Sequence, residues 1–107
     1  MKLERIVWQG TDVPLERVLK QRLAAEGFDV FRWRDEAGAE YRPHSHEHDE
    51  CLWVIEGDIV FGIDGRDYRL GAGDRLILPA GTVHTATAGR DGAIYLIGER
   101  AAVSAPR

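Results

Sequence analysis

Cysteine is nearly absent from this sequence. Cys51 stands alone, which excludes an internal disulfide and any zinc-finger pattern. Lysine is almost as scarce: of 14 basic residues only Lys2 and Lys20 are lysines, and the arginines are scattered rather than gathered in a stripe. With 18 acidic residues the formal net charge is −4, so neither nucleic acid nor an anionic membrane is an expected partner. Long hydrophobic runs are missing too. Cys51 to Ile55 is among the longest uncharged apolar stretches, far short of a bilayer span. The first ten residues lack the apolar centre of a signal peptide, and the expected location is the cytoplasm. No tandem repeat or low-complexity segment is present.

What remains is an ordinary globular composition. The chain has 107 residues, 44% hydrophobic and 30% charged, enough for a single domain and not for two. Near the N-terminus Leu3 to Trp8 can form a strand. Thr11-Asp-Val-Pro14 then reads as a helix start, with Pro14 in the first turn and Glu16 near the positive end. Leu15, Val18, Leu19 and Leu23 fall on one face of that helix, and Gly27 stops it.

From Phe28 onward the pattern is all β. Expected strands are Phe28 to Arg34, Glu50 to Glu56, Asp58 to Ile63, Arg66 to Leu70, Arg75 to Pro79, Thr82 to Ala88 and Ala93 to Ile97. Asp64-Gly65 between two of them signals a tight hairpin. Short strands separated by recurrent glycines indicate a sandwich or a barrel, with a core over about 28–99 and a loose tail over 100–107.

Four residues in this β region have the chemistry of metal ligands. His44, His46 and Glu50 lie within His-Ser-His-Glu-His-Asp-Glu, and His84 follows at the end of Gly73-Asp-Arg-Leu-Ile-Leu-Pro-Ala-Gly-Thr-Val-His84. Alternate residues of a strand share a face, so His44 and His46 are expected to point together, with His84 arriving from a neighbouring strand. Three imidazoles and a carboxylate suit a borderline divalent transition metal. Three buried imidazoles beside a carboxylate would be costly to keep without a cation.

The two stretches resemble the paired motifs of the cupin superfamily, in the form of a small single-domain microbial member. Gly38, His44, His46, Glu50 and Gly57 stand at the spacing of the first motif; Gly73, Pro79, Gly81 and His84 stand at that of the second. The separation between them, Asp58 to Ala72, is short. Only the last position departs, with Ala88 where the family usually has asparagine, and that asparagine is not a ligand. The resemblance implies an all-β double-stranded β-helix, a jelly-roll barrel with one short N-terminal helix. It also implies a metal held inside by His44, His46, Glu50 and His84. Four ligands on an octahedral ion leave two positions open, which catalysis can use.

Other residues have plainer readings. His48 is expected to be an exposed turn residue rather than a fifth ligand or proton shuttle. Asp49 has the wrong parity to replace Glu50. Cys51 and Trp53 should face away from the metal, Cys51 as a small buried hydrophobe. Leu52, Val54, Phe61, Leu76, Leu78 and Tyr95 are candidates for the barrel lining. Tyr41 and Arg42 fall near the barrel mouth, where a solvated strand end is favoured over a substrate-orienting role. The expected function is a metal-dependent enzyme on a small molecule. Dioxygenase-like chemistry with iron leads; isomerase or decarboxylase chemistry with manganese, nickel or zinc follows. The alternative is a small-molecule-binding or sensing module without catalysis, which the lack of a helix-turn-helix segment disfavours. A homodimer is expected, because the barrel is small and the N-terminal strand offers an edge.

Overall fold

The computed structural model describes residues 2–12 and 14–102. The expected helix start includes residue 13 and the expected loose tail includes residues 103–107, which lie outside the described residues. The elements in chain order are β1 (Glu4–Ile6), α1 (Glu16–Ala25), β2 (Asp29–Asp35), β3 (Glu40–His44), β4 (His48–Ile63), β5 (Arg66–Gly71), β6 (Arg75–Leu78) and β7 (His84–Ala101).

Two long bent strands organise everything else. The first half of β4 pairs with β6 and with the second half of β7; its second half pairs with β5 and with the first half of β7. β7 in turn pairs β3 along its first half and β2 along its second. All these pairings are antiparallel, and β1 closes onto β6 in the same chain. The result is two sheets face to face, β1-β6-β4-β7-β2 and β5-β4-β7-β3, sharing their central strands. This is a double-stranded β-helix with one short helix. The hydrogen-bonded path does not close into a ring among the described residues, so the barrel is a jelly-roll sandwich with open edges.

The bend has a local cause. The β4–β7 register shifts between Val54 and Glu56 and again between Gly57 and Ile59. Gly57 has φ 74° there, opposite Gly92 at φ 75°. A Cβ on Gly57 would lie 2.1 Å from the Gly92 carbonyl oxygen, so only glycine permits the two strands to turn together. Strands expected as separate pieces, Glu50 to Glu56 and Asp58 to Ile63, are therefore one strand, and the same holds for Thr82 to Ala88 and Ala93 to Ile97. At Asp64-Gly65 the expected hairpin turn forms, with positive φ at both residues. β7 continues to Ala101, so Arg100 and Ala101 belong to the sheet rather than to a tail.

Alternation along β4 sorts its side chains. Leu52 and Val54 enter the cluster between the sheets together with Phe61, Leu76, Leu78 and Tyr95. Cys51, Trp53 and Ile55 face the opposite way and pack under Leu19 and Leu23 of α1. The helix is shorter than expected: Leu15 is extended (φ −92°, ψ 116°) and caps it without a side-chain hydrogen bond. Leu15 and Val18 consequently stay exposed, and only Leu19 and Leu23 are buried.

Arg75 fastens this outer layer. It is 8% exposed, forms two hydrogen bonds to Glu26 at 2.7 and 3.2 Å, and stacks 4.3 Å from the Trp53 ring. Its Nε also donates to Cys51 Sγ at 3.2 Å. Burial pushes the Cys51 thiol up to about 11, which makes it unreactive. No helix of the described residues is long and apolar enough to cross a membrane.

Candidate metal centre

His44 ends β3 and His84 begins β7, and the two are direct cross-strand partners with ring centroids 4.3 Å apart. His46 is not on a strand, as parity had suggested; it sits in the link over residues 45–47, between β3 and β4. It still converges on the same place, with ring centroids 5.0 Å from His44 and 5.3 Å from His84. Two contacts fix that geometry. The Gly81 N–H donates to the His46 carbonyl at 2.8 Å, and the Ala80 N–H donates to Asp49 Oδ1 at 2.8 Å. The Pro79–Gly81 turn that leads to His84 is thus tied to the segment that carries His46. Asp49 is buried as a structural acceptor on the face opposite to Glu50.

Glu50 projects inward from β4 and is 6% exposed. One oxygen lies 3.7 Å from His46 Nε2 and the other 3.3 Å from His48 Nε2. Two overlapping donor groups result. His44, His46 and His84 offer ligand atoms within 4.8 Å of one another, and so do His46, His48 and Glu50. All four expected residues line one cavity, but Glu50 groups with His46 and His48 rather than with His44 and His84, and His46 is common to both groups.

The expectation that His48 is an exposed turn residue needs correction. β4 starts at His48, which pairs with Ala101, so its side chain shares the face of Glu50. It is half-buried, stacks on His46 at 5.2 Å, and bridges Glu50 to Glu99, 3.2 Å away. Glu50 and Glu99 are cross-strand partners, and His48 sits between two carboxylates that would otherwise repel.

Backbone carbonyls set the imidazole tautomers. His44 Nδ1 lies 2.6 Å from the Arg42 carbonyl and His84 Nδ1 2.8 Å from that of Thr82. A carbonyl accepts only from N–H, so each Nδ1 is protonated, and in the neutral ring each Nε2 carries the lone pair. This is how metal-ligating histidines are prepared. Burial holds the His84 imidazole below its ordinary value, and His44 and His46 add to that, against the opposing pull of the Thr82 carbonyl. The neutral form, which alone can ligate, is favoured. Both the donor types and their tautomers fit a divalent transition metal.

Beside this cluster is a cavity of about 220 Å³. Leu52, Phe61, Ala86 and Ile97 supply apolar wall, and Trp33, Tyr41, Tyr95 and Glu99 supply the rest. Sequence reading missed Trp33, Glu99 and Asp35 altogether. Asp35 is 5% exposed and accepts three hydrogen bonds: Trp33 Nε1 at 2.9 Å, the Tyr95 hydroxyl at 2.7 Å and the Tyr41 hydroxyl. Burial and these bonds push both tyrosines upward, so both hydroxyls keep their protons. Alternation in β2 and β7 was the available signal. Trp33 pairs with Tyr95, Asp35 with Ala93 and Phe31 with Ile97, all on the inner face. Tyr41 lines the cavity, while Arg42 is exposed and stands outside it.

Among curated proteins the chain is similar to an acireductone dioxygenase of Tuber melanosporum, 33% identical over 60 residues. The match covers 51% of this chain and 35% of that relative, so the chain spans about a third of its length. Among solved structures it is similar to KdgF from a Halomonas species, with TM-score 0.58 and 32% identity over 68% of this chain and 69% of that one. A Klebsiella pneumoniae protein with a double-stranded β-helix domain matches at TM-score 0.60 and 28% identity, over 71% and 69% of the two chains. The family model described as the cupin domain matches residues 31–97, the stretch that holds both motifs and all but the ends of the inner sheets. By that match, by its two bent strands and by the cluster they enclose, the chain belongs to the cupin-domain family.

Proposed function

We infer that this protein binds one divalent transition metal through His44, His46, Glu50 and His84 and acts with it on a small molecule held in the adjoining cavity. The observation that carries this reading is the preset tautomer of His44 and His84. Each Nδ1–H is held by its own chain, and each Nε2 is left for a cation next to a buried carboxylate. Iron is the favoured metal, with manganese, nickel or zinc as the other candidates, because three imidazoles and a carboxylate with open positions resemble the non-haem iron arrangement of two histidines and a carboxylate with one extra imidazole. When bound, iron would supply the activation of dioxygen. The likeness to acireductone dioxygenase supports oxygenase-type chemistry over isomerase or decarboxylase chemistry, although it covers only part of that relative.

The chain's own contribution is binding and orientation. Leu52, Phe61 and Ile97 keep water from one side of the cavity, and Glu99 with His48 places a carboxylate and an imidazole beside Glu50. A homodimer belongs to the same proposal. β1 is already paired with β6 of its own chain, so a second copy would use another edge; Phe31 and Trp33 on β2 are 51% and 47% exposed there. Light scattering at micromolar concentration checks this, and a monomer mass would contradict it.

The test of function is the metal found in protein purified without an affinity tag, together with any small molecule that travels with it. Iron, with oxygen uptake on addition of that molecule, supports the enzyme. A tightly held organic ligand with no oxygen uptake points to a binding or sensing module.

A further inference from the structure

The cavity beside the histidines is rich in hydrogen-bond acceptors, and away from the histidine cluster its donors are already committed. Trp33 Nε1–H is shared between Asp35 at 2.9 Å and the Tyr41 hydroxyl at 3.1 Å. The Tyr41 and Tyr95 hydroxyls both donate to Asp35, one to each carboxylate oxygen. His44 and His84 commit their Nδ1–H groups to backbone carbonyls. Among the described residues no Lys, Arg, Asn, Gln, Ser or Thr lines the space. What the wall still offers are two phenol oxygens, the carboxylates of Glu50 and Glu99, and hydrocarbon.

An anion that leaves water needs donors or a cation in exchange. Away from the metal, this cavity has neither. Glu99 adds a charge of the wrong sign. A hydroxyl or an ammonium meets the opposite situation, with acceptors in place and aromatic faces around it.

We propose that the cavity selects small molecules carrying a hydrogen-bond donor, an alcohol or an ammonium, and rejects a carboxylate away from the metal, with Asp35 as the positioning residue that fixes Tyr41 and Tyr95 as acceptors. It rests on the reading above that the cavity receives the substrate. Size sets the scale: a cavity of about 150 Å³ holds benzene. One ring with one short substituent therefore fits in the space available here.

The experiment is an NMR titration of the metal-free protein with benzyl alcohol, benzylammonium and benzoate. The titration is run at a pH of about 8, above the free-imidazole value of about 6.5. The alcohol and the ammonium bind with Kd values at least about tenfold below that of benzoate. A preference for the ammonium that Glu99→Gln removes identifies a cation as the better ligand; equal binding of the two identifies the donor alone, and both support the proposal. Asp35→Asn, which puts an amide donor beside the tyrosines, narrows the gap between alcohol and benzoate without changing the dispersion of the spectrum. If that variant does not fold, Tyr95→Phe keeps the ring, removes one acceptor and narrows the same gap. Benzoate binding as tightly as benzyl alcohol to the wild type overturns the proposal, and so does saturation by none of the three probes. A zinc titration of the same sample separates the two readings. Selectivity without zinc binding sinks the metal site alone, whereas zinc binding with benzoate preferred in the metal-free protein sinks this proposal alone.

Discussion

The outer and inner faces of the sandwich both carry polar side chains, and they use them differently. On the outer face Arg75 has a partner for every direction: Glu26 across two hydrogen bonds, Trp53 beneath it and Cys51 beside it. On the inner face His44 and His84 have one ring nitrogen tied to a backbone carbonyl, and the other has no hydrogen-bond partner among the described residues. Matched buried polar groups hold layers together, while a ring nitrogen that faces a cavity is free for a ligand. The outer face holds α1 to the sheet, and the inner face carries the proposed metal site.

The largest effect should come from breaking the outer face. Leu23→Ala removes a fully buried side chain between α1 and the sheet and should lower stability by about 2–5 kcal/mol. Denaturant unfolding measures this. Metal content per folded molecule should not change, and a parallel loss of metal would dissolve the distinction between the faces.

Next in size is an inner-face change. Glu50→Gln keeps the shape and removes the charge, and competitive zinc titration should show weaker binding by a factor of about 10–100 or more. Stability of the metal-free protein should move little, because Gln relieves the repulsion between Glu50 and its cross-strand partner Glu99. A strongly destabilised metal-free variant would mean that Glu50 belongs to the structure rather than to the site.

Acid sharpens the comparison further. The folded-state pKa of His84 is depressed, first by burial, so protonation opposes the folded site as pH falls through the free-imidazole value of about 6.5. Stability and metal retention are thus present above that pH and lost below it. Metal content followed by dialysis should begin to drop there, and content unchanged down to pH about 4 would contradict ligation by histidine. The smallest effect concerns Asp35→Asn, which leaves one of three buried donors unmatched and should cost about 1–3 kcal/mol while metal content stays constant.

Much of the inner face could be read from the chain. Parity placed Leu52 and Val54 with Glu50 and sent Cys51 and Trp53 to the other side, because period-2 alternation survives in a long strand. Spacing pointed to His44, His46, Glu50 and His84, which line one cavity. Legibility failed where the chain leaves regular structure. His46 is on a link rather than a strand, and the turn expected around His48 lies one residue earlier, which changes His48 from solvated to bridging. Asp35 and Glu99 were invisible for a different reason. Their roles depend on partners 60 and 49 residues away, Tyr95 and Glu50, which only the β2–β7 and β4–β7 registers bring close. Arg75 stands in the sequence only as the start of an expected strand, and its partner Glu26 lies 49 residues away at the C-terminal end of α1. The helix itself was read too long at its start, since apolar residues at Leu15 and Val18 fit the period but find nothing to cover them.

The measurement that tests the central claim most directly is elemental analysis of tag-free wild-type protein beside His84→Ala. His84 is 4% exposed and contributes no hydrogen bond to another element beyond its own Thr82 carbonyl, so its loss should spare the fold. The account predicts one transition metal per wild-type chain and almost none in the variant, with both proteins folded. Equal metal in the two would show that the cation, if any, is held elsewhere, and that the inner face of β4 is not a metal site.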